Sequence, residues 1–222
     1  QEIAEVLHME APQNDINPLW CKNLTYIKKH VVNRKESRKQ LQKYLKKYHR
    51  HSSVIYCNTT QAVDAVYKLV KKAYPEKATY SYAALSAKKR IANEKAFLTG
   101  EKSIMVATTA FGMGIDLDSV DLMIHFNMPL SLTDYMQQTG RAGRKGQKAH
   151  CVLLYCDADY HMGRYIISSG GECSARAKEQ LDQMKAFCDD TQHCMAQLLM
   201  EHFEQTLDKT CKHCTICQKK RR

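Results

Sequence analysis

Residues 104–116 read IMVATTAFGMGID, and residues 137–144 read QQTGRAGR. The first segment is a short apolar run followed by two threonines and the glycines Gly112 and Gly114. A buried strand that ends in hydroxyls and glycines brings bare backbone close to a ligand. The second segment places Arg141 and Arg144 between glycines, a spacing that lets two guanidinium groups share one anion. Together the two segments predict a site that handles phosphate.

Similar short apolar runs occur on both sides of this stretch and alternate with patterns of helical period. They suit buried strands and cover residues 53–57, 78–82, 103–107, 122–126 and 149–155. Such alternation predicts right-handed crossovers and a parallel sheet with helices on both faces, which is an α/β fold. Ligands bind such sheets at the carboxyl ends of the strands. The polar residues predicted there are Asn58, Thr59, Thr108, Thr109 and Asn127.

The composition is that of a globular protein, with 44% hydrophobic and 26% charged residues in 222. Its apolar stretches are all shorter than the roughly 18 residues that cross a bilayer, so we expect no membrane association. The chain begins with an acidic, amphipathic segment that does not resemble a signal peptide. We therefore expect an intracellular protein, cytoplasmic or nucleoid-associated in a bacterium and nuclear in a eukaryote. Because Gln1 stands where an initiator Met is usual, we also expect a piece of a longer chain.

The formal net charge is +11, and much of the excess lies between Lys28 and His51. That segment contains a single acidic residue, Glu36, among ten lysines and arginines. Such a balance favours a polyanionic partner, most simply nucleic acid. The alternative is the solvated face of a helix, because apolar residues recur among the lysines at helical spacing. These are Leu41, Tyr44, Leu45 and Tyr48.

Ten cysteines are present, and six of them lie between Cys173 and Cys217. In a small secreted protein this number would indicate disulfides. Without a secretory signal, and with the Cys-x2-Cys-x2-Cys spacing of residues 211–217, a metal site is favoured.

The quoted segments resemble two conserved motifs of the RecQ family of DNA helicases. Residues 107–116 are similar to the fifth motif of the family, and residues 137–144 are similar to its sixth. Residues 54–58 resemble the fourth motif, and residues 124–129 match a stretch between the fourth and the sixth. The similarity extends over nearly the whole chain. DEAD-box RNA helicases usually have His where this chain has Gln137, so an RNA helicase is disfavoured.

The resemblance implies a RecA-like parallel sheet flanked by helices, followed by a small helical zinc-binding subdomain. Residues 1–24 are then the end of a first lobe and a connector. Residues 25–156 form the second RecA-like helicase lobe, and residues 157–222 form the zinc-binding subdomain with a basic tail. Gly170 and Gly171 lie near the beginning of the last region, where only helical patterns remain.

The resemblance also assigns an ATP site between two lobes. It implies that Arg144 is an arginine finger acting on the γ-phosphoryl group, a role worth about 10³–10⁵ in rate. Arg141 is its partner, which senses nucleotide or joins the lobes. The residues expected to line the same cleft are Gly112, Gly114, Asp116 and Gln137. The alternative is that the arginines form structural ion pairs with Asp134 or Asp116.

A single DNA strand is expected to cross the top of the lobe. By the resemblance, Asn58, Thr59, Thr108 and Thr109 contact its phosphates, which position a strand without reading its sequence. The alternative is simple capping of the helices that follow, above all by Asn58 and Thr60. His125 is as often structural as functional at its position. Phe111 suits the core as well as contact with a base.

Four cysteines align with the zinc ligands of the family. Cys211, Cys214 and Cys217 from one tight loop, with Cys194 from the start of the preceding helix, suit a zinc tetrahedron. A similar run occurs in iron–sulfur proteins, but the following cysteine and proline are missing here. Three further residues in this region could also bind a metal, namely Cys188, His193 and His213.

Two elements of a complete helicase are missing from this sequence. It contains neither Gly-x4-Gly-Lys-Ser/Thr nor an acidic Asp-Glu-Ala-His box, which bind phosphates and Mg²⁺. We therefore expect that the first lobe is lacking and that this chain alone does not hydrolyse ATP. In addition, residues 82–85 read YAAL where the family usually has His-Ala-Gly-Leu, which places contacts at the end of that strand in doubt.

These observations indicate the C-terminal lobe of an ATP-dependent 3′–5′ DNA helicase that unwinds duplex DNA in repair or recombination. Structural zinc, ATP with Mg²⁺ in the two-lobe parent, DNA and the missing N-terminal lobe are the expected cofactors and partners. The alternative is a non-catalytic nucleic-acid-binding module with a helicase-like fold. A P-loop upstream of Gln1 would discriminate between the two.

Overall fold

A computed structural model describes residues 21–48, 51–112, 117, 120–169 and 174–221. Six strands in this part of the chain form one parallel sheet in the order β1-β6-β5-β2-β4-β3. Their bounds are β1 Leu24–His30, β2 Ser53–Tyr56, β3 Ala78–Ser81, β4 Ile104–Ala107, β5 Leu122–His125 and β6 Ala149–Tyr155. The predicted parallel α/β sheet is therefore confirmed.

Eight helices accompany the sheet within the described residues. Those between strands are α1 Arg34–Lys47, α2 Thr60–Ala73, α3 Ala87–Leu98 and α4 Leu132–Thr139. Those after the last strand are α5 Asp157–Ser168, α6 Ala175–Asp189, α7 Met195–His202 and α8 Thr215–Lys219. The expected change to helices alone after about residue 157 is confirmed, whereas Gly170 and Gly171 lie outside the described residues.

The two faces of the sheet bury different sets of apolar side chains, because successive residues of a strand point to opposite sides. One face carries Ile55 and Ile124 and packs against α1 and α2. The other carries Val54 and Met123 and packs against α3, α4 and the helices after the sheet. The four central strands are almost fully buried, and three of them, β2, β4 and β5, have only four residues, as expected for a sheet covered on both sides.

One strand was missed by the sequence analysis. The prediction assigned residues up to 24 to a connector and read the basic segment from Lys28 as helical, but Leu24–His30 is an edge strand paired with β6. Leu24 and Tyr26 are buried while the residues between and after them are partly or fully exposed. Lysines in the exposed positions obscured this period-two pattern.

Most of the basic segment forms the helix α1, and its apolar residues pack against the sheet, as the alternative of a helix with a solvated basic face predicted. Leu41, Leu45 and Tyr48 are buried on the sheet. The side chains of Lys35, Arg38, Lys39, Lys43, Lys46 and Lys47 are exposed. Among the described residues, no helix has both the length and the apolar character required to cross a membrane.

Candidate functional site at the carboxyl edge and a four-cysteine cluster

The polar residues predicted to bind a strand meet at one edge of the sheet. Strands β2 and β4 are neighbours, so Asn58–Thr59 and Thr108–Thr109, which follow their carboxyl ends, lie side by side. Thr109 is exposed, and Asn58, Thr59 and Thr108 are partly exposed. The structure thus brings all four residues to one accessible edge.

The first turn of α2 opens onto this edge. Thr59 is the N-cap, and its hydroxyl oxygen accepts a hydrogen bond of 3.1 Å from the amide of Ala62. The capping expected of Asn58 or Thr60 is therefore performed by Thr59. A hydroxyl that accepts in this way still has a proton to donate. The first turn contains no acidic residue, so the positive end of the helix dipole is left to act on an anion.

Asn58 has a different structural task. Its amide donates a hydrogen bond of 2.7 Å to the carbonyl oxygen of Met128, which follows β5. This bond joins the loops after two neighbouring strands, β2 and β5. The Asn58 amide group therefore fixes the position of these loops, and its side-chain oxygen, which takes no part in this bond, is the atom that could contact a ligand.

Asn127, also predicted at the edge, is buried in a polar cluster. Its amide donates to Asp159 over 3.2 Å, and Asp159 forms an ion pair with Arg34. The guanidinium of Arg34 also donates to the carbonyl oxygen of Phe126 over 3.1 Å. The first residue of α1 is thereby tied to the end of β5 and the start of α5.

The two arginines predicted to be catalytic have opposite environments. Arg141 is 8% exposed, and its guanidinium donates to the carbonyl oxygen of Gly112. Arg144 is exposed, as is Gln137 on the last part of α4. Arg141 thus connects the two quoted sequence segments from inside the lobe, while Arg144 and Gln137 are presented at its surface.

Gly112 accommodates Arg141 closely. Its φ of +92° is a left-handed conformation, and an added Cβ would lie 3.3 Å from the Arg141 Nη1 atom. Asp134, considered as an ion-pair partner for the arginines, instead accepts a hydrogen bond of 2.8 Å from the Ser131 hydroxyl. Gly114 and Asp116, predicted in the cofactor cleft, lie outside the described residues.

The loop that presents Arg144 is held by a residue that the sequence analysis did not select. The side-chain amide of Asn23 donates to the carbonyl oxygens of Gly143 over 2.8 Å and of Gln147 over 2.7 Å. The amide of Gly143 donates to the carbonyl oxygen of Val120 over 3.0 Å. No local pattern could reveal Asn23, because its partners are about 120 residues away.

His125 lies in the core beneath these loops. It is fully buried, and its Nε2 atom is 2.7 Å from the Gln138 side-chain oxygen. Burial lowers the pKa of His125 to about 4, so the ring is neutral at pH 7 and its Nε2 donates to Gln138. Of the two roles open for His125, the structural one is supported. Phe111 is likewise buried, edge-on to Phe97 at 6.0 Å.

Two tyrosines surround His125. The Tyr56 ring stacks on it at 5.6 Å, and its hydroxyl donates to the carbonyl oxygen of Phe111 over 3.2 Å. The Tyr135 ring meets it edge-on at 4.9 Å. Since Gln138 lies three residues before Arg141, this cluster connects β2, β5 and α4 with both quoted segments.

The four cysteines predicted as metal ligands form a second site. The sulfurs of Cys194, Cys211, Cys214 and Cys217 lie within 4.8 Å of one another, and all four residues are buried. A tetrahedron with zinc–sulfur bonds of about 2.3 Å has sulfur–sulfur edges of about 3.8 Å. The Cys211 and Cys217 sulfurs are 3.9 Å apart. The donor set therefore fits zinc without rearrangement of the backbone.

Backbone amides point at these sulfurs. The amides of Cys211, Cys214 and Cys217 donate to the sulfurs of Cys194, Cys211 and Cys214 over 3.3, 3.3 and 3.5 Å. A hydrogen bond from the Cys211 thiol, aided by such amides, lowers the pKa of Cys214 to about 4. Amides aimed at sulfur stabilise the thiolate form, which is the form that binds a metal.

The spare potential ligands are engaged elsewhere. His213 lies 3.0 Å from the carbonyl oxygen of Leu24, and His193 lies 2.6 Å from the Asp190 carboxylate. Cys188 is buried apart from the cluster, and burial raises its pKa to about 12. Within the described residues, the four cysteines are the group of metal-binding type. Cys173 lies outside those residues.

Comparisons with known protein families match two regions of the chain. The helicase conserved C-terminal domain family matches residues 36–146. The RecQ zinc-binding family matches residues 121–218. The first covers strands β2 to β5 with the edge site, and the second covers the four cysteines.

Curated relatives are similar over much of this chain. ATP-dependent DNA helicase hus2/rqh1 of Schizosaccharomyces pombe is 34% identical over 184 residues, which cover 80% of this chain and 14% of that protein. ATP-dependent DNA helicase RecQ of Pasteurella multocida is 30% identical over 219 residues, 98% of this chain and 34% of that protein. The chain therefore spans about a third of this relative, and less of the first.

Solved structures share the fold. The Escherichia coli DEAD-box protein SrmB, bound to regulator of ribonuclease activity A, has a TM-score of 0.53 at 22% identity, covering 66% of this chain and 84% of that one. The C-terminal domain of the DEAD-box protein Dbp5 has a TM-score of 0.52 at 18% identity, covering 67% and 84%. At these identities the likeness concerns the fold alone.

Proposed function

This chain belongs to the RecQ family of helicases, as its C-terminal helicase region, and from that premise we propose a role in ATP-driven unwinding. In this proposal it is the second lobe of a 3′–5′ DNA helicase that acts in repair or recombination inside the cell. It supplies an arginine finger and part of the path of a single DNA strand. A P-loop lobe in a longer parent supplies the remaining ATP contacts and Mg²⁺.

The observation that supports this role most directly is the contrast between Arg141 and Arg144. One guanidinium is buried and bound to the backbone of its own lobe, and the other is exposed on an adjacent, firmly held loop. A finger must reach a phosphate that another lobe holds, and its own loop must keep it in position. The exposure of Arg144 and the hydrogen bonds that hold its loop support this role. We assign Arg141 to positioning, since its contact with Gly112 joins the two motifs.

In the proposed reaction, water attacks the γ-phosphorus and the bond to the β-phosphate oxygen breaks. Negative charge develops on the transferring group and on the leaving oxygen. Arg144 stabilises this charge, and Gln137, which is also exposed, orients the attacking water or the phosphate. Asp116 and Gly114 are proposed to line the same cleft on the strength of the resemblance alone.

The strand path follows from the edge of the sheet. The α2 N-terminus and the hydroxyls of Thr59, Thr108 and Thr109 are suited to phosphate oxygens, and none of them reads a base. The net charge of +11 favours such a polyanion. We propose that ATP binding closes the two lobes and that hydrolysis releases them, which moves the strand along this edge.

Zinc is proposed as a structural ion at Cys194, Cys211, Cys214 and Cys217. When bound, it joins α8 and the loop before it to the start of α7 through four thiolates. Iron–sulfur chemistry is less well supported, because four sulfurs that all lie within 4.8 Å of one another match a single tetrahedral ion.

The decisive measurement is DNA-stimulated ATP hydrolysis by the two-lobe parent carrying Arg144→Ala. We expect kcat to fall by about 10³–10⁵ while nucleotide still binds. The reason is that Arg144→Ala removes the cation that stabilises negative charge in the transition state but leaves the ground-state contacts to ATP in place. Lys145→Ala is the matched control, since it removes the neighbouring exposed cation and should change kcat less than about threefold. Equal effects of the two substitutions would refute the finger role.

The second candidate is a nucleic-acid-binding module that does not hydrolyse ATP. It is favoured by one observation. This chain contains the residues proposed to contact a DNA strand and many basic residues, whereas it contains neither the P-loop nor the acidic box that bind ATP and Mg²⁺. A parent that binds single strands but hydrolyses no ATP would establish this alternative.

A further inference from the structure

Three tyrosine rings lie in contact along β3, the edge strand next to β4. The ring centroids of Tyr67 and Tyr80 are 4.4 Å apart, and those of Tyr80 and Tyr82 are 5.9 Å apart. All three rings are partly buried on the sheet face that carries α2, and all three are partly exposed. We call Tyr67, Tyr80 and Tyr82 the tyrosine row.

Lysines accompany the tyrosine row. The Lys71 ammonium lies 5.6 Å from the centre of the Tyr67 ring, and that of Lys89 lies 5.2 Å from the centre of the Tyr80 ring. The neighbouring Tyr80 hydroxyl raises the pKa of Lys89, so its ammonium group is charged at pH 7. Two acidic residues lie close by: burial together with the carboxylate of Asp64 raises the pKa of the Tyr82 hydroxyl, and Glu94 lies in the cleft beside Tyr82. Exposed rings flanked by fixed cations suit flat, anionic ligands.

The row reaches the proposed strand path through Tyr82. Tyr82 follows the carboxyl end of β3 and lines a cleft of about 260 Å³ together with Arg90, Ala110 and Phe111. Ala110 directly follows Thr109, one of the proposed phosphate contacts. A strand at Thr108 and Thr109 would therefore meet the cleft and Tyr82 next, on the neighbouring strand of the sheet.

Core packing alone does not explain the rings. The buried residues of β3 are Ala78, Thr79 and Ser81, so the strand is anchored without the tyrosines. Ala83 and Ala84, which follow Tyr82, are exposed, and no large neighbour in that segment covers the end of the row. Aromatic surface beside positive charge is the combination on which unpaired bases stack.

We propose that the tyrosine row, with Lys71 and Lys89, is a stacking subsite for unpaired bases of single-stranded DNA leaving the phosphate-contacting edge at Thr108 and Thr109. The subsite rests on the proposed function, since the strand must first lie along that edge. It adds base contact without sequence recognition, because every base has a face that can stack. Tyr82 is the first ring that such a strand meets.

The test uses the full 222-residue chain and two labelled oligonucleotides of equal length, oligothymidylate and an abasic strand, in fluorescence anisotropy at low salt. Tyr82→Leu should weaken oligothymidylate binding by about fivefold to a hundredfold. Binding of the abasic strand should change less than twofold, because its phosphates remain. Tyr82→Phe, which keeps the ring and removes only the hydroxyl, should bind both strands like the original chain.

Each other pattern has a defined meaning. Equal weakening of both strands by Tyr82→Leu, or no weakening of either, would overturn the stacking subsite while leaving the strand path intact. Failure of the unsubstituted chain to bind either strand would instead overturn the strand path and the subsite together.

A second measurement does not depend on how the variants fold. Strands with 2-aminopurine at successive positions should show changed fluorescence at a few adjacent positions when bound to the unsubstituted chain. A uniform response at every position would contradict stacking on a fixed row of rings.

Discussion

The four-cysteine cluster and the carboxyl edge of the sheet are built in opposite ways. The cluster takes all four donors from this chain, buries them and directs backbone amides at their sulfurs. The carboxyl edge instead exposes Thr109, while Gln137 and Arg144 are exposed on the last part of α4 and on the loop before β6, towards the amino edge. A buried set of four cysteines needs only one metal ion and stabilises the fold. Exposed residues form a complete site only when another lobe or a DNA strand supplies the ligand. The first is therefore expected to govern folding and the second catalysis.

The two regions nevertheless depend on the same segment. Asn23 holds the Arg144 loop, and the carbonyl oxygen of the next residue, Leu24, contacts His213 of the cysteine loop. Further along β1, the Lys28 amide donates to the Thr215 hydroxyl over 3.0 Å. One continuous core contains buried residues of both regions. Loss of the metal or of a cysteine in the cluster is therefore expected to disturb the structure of the edge as well.

The largest effect is expected at the cluster. Cys214→Ser should abolish zinc binding, which contributes about 10–16 kcal/mol of apparent binding free energy in structural sites. The helices after the sheet should then unfold, as seen by metal analysis and by circular dichroism. Cys21→Ser, at an exposed cysteine outside the cluster, is the control and should leave zinc and helicity unchanged. Retention of one zinc per chain in Cys214→Ser, or iron in place of zinc, would refute the assignment.

A smaller effect is expected from acid, through the core under the edge. His125 has a pKa of about 4 when folded and about 6.5 when unfolded. The unfolded chain thus binds the proton more readily, so stability is lost as pH falls below about 6.5. The loss should reach about 2 kcal/mol by pH 5 and level off below pH 4, near 3 kcal/mol.

Urea unfolding at pH 7 and pH 5 measures this loss. In His125→Gln, stability should fall by about 2 kcal/mol less between these values than in the unsubstituted chain. Zinc content is determined at each pH, so that acid release of the metal is separated from protonation of the ring. Parallel losses in both proteins would show that His125 is not the titrating group.

The smallest effect concerns the loop that presents Arg144. Gly143 and Gly146 both have positive φ, +66° and +81°, but an added Cβ at Gly143 would lie 2.8 Å from the carbonyl oxygen of Gln147, whereas nothing lies within 4 Å at Gly146. Alanine should cost about 1 kcal/mol at either position through backbone strain. Gly143→Ala should cost about 1 kcal/mol more through the contact.

Thermal unfolding of the two alanine variants separates the contact from the strain. In the two-lobe parent, only Gly143→Ala should also lower the rate of ATP hydrolysis, since it displaces the Arg144 loop. Equal stability and equal rates in the two variants would show that the loop adapts and that its position is not locally determined.

Much of the candidate site could be predicted because its signals are local. The Cys-x2-Cys-x2-Cys spacing brings three sulfurs together within one turn of chain, and only Cys194 had to come from elsewhere. The threonines after β4 follow an apolar run that any sheet would bury. The assignments that failed or stayed open concern burial and partners. The edge strand Leu24–His30 was read as connector and helix, and the sequence did not distinguish the buried Arg141 from the exposed Arg144.

The sequence by itself determined the parallel α/β lobe, the family and the four cysteines, because short apolar runs, glycine-flanked arginines and cysteine spacing are properties of a few neighbouring residues. Only the tertiary structure decided that Arg141 binds Gly112, that Asn23 holds the Arg144 loop, and that His125 is neutral in the core. Those outcomes depend on residues as far as 120 positions apart in the chain. Packing against such distant neighbours decides whether a charged or polar side chain meets water, backbone or another lobe, and no local pattern encodes that choice.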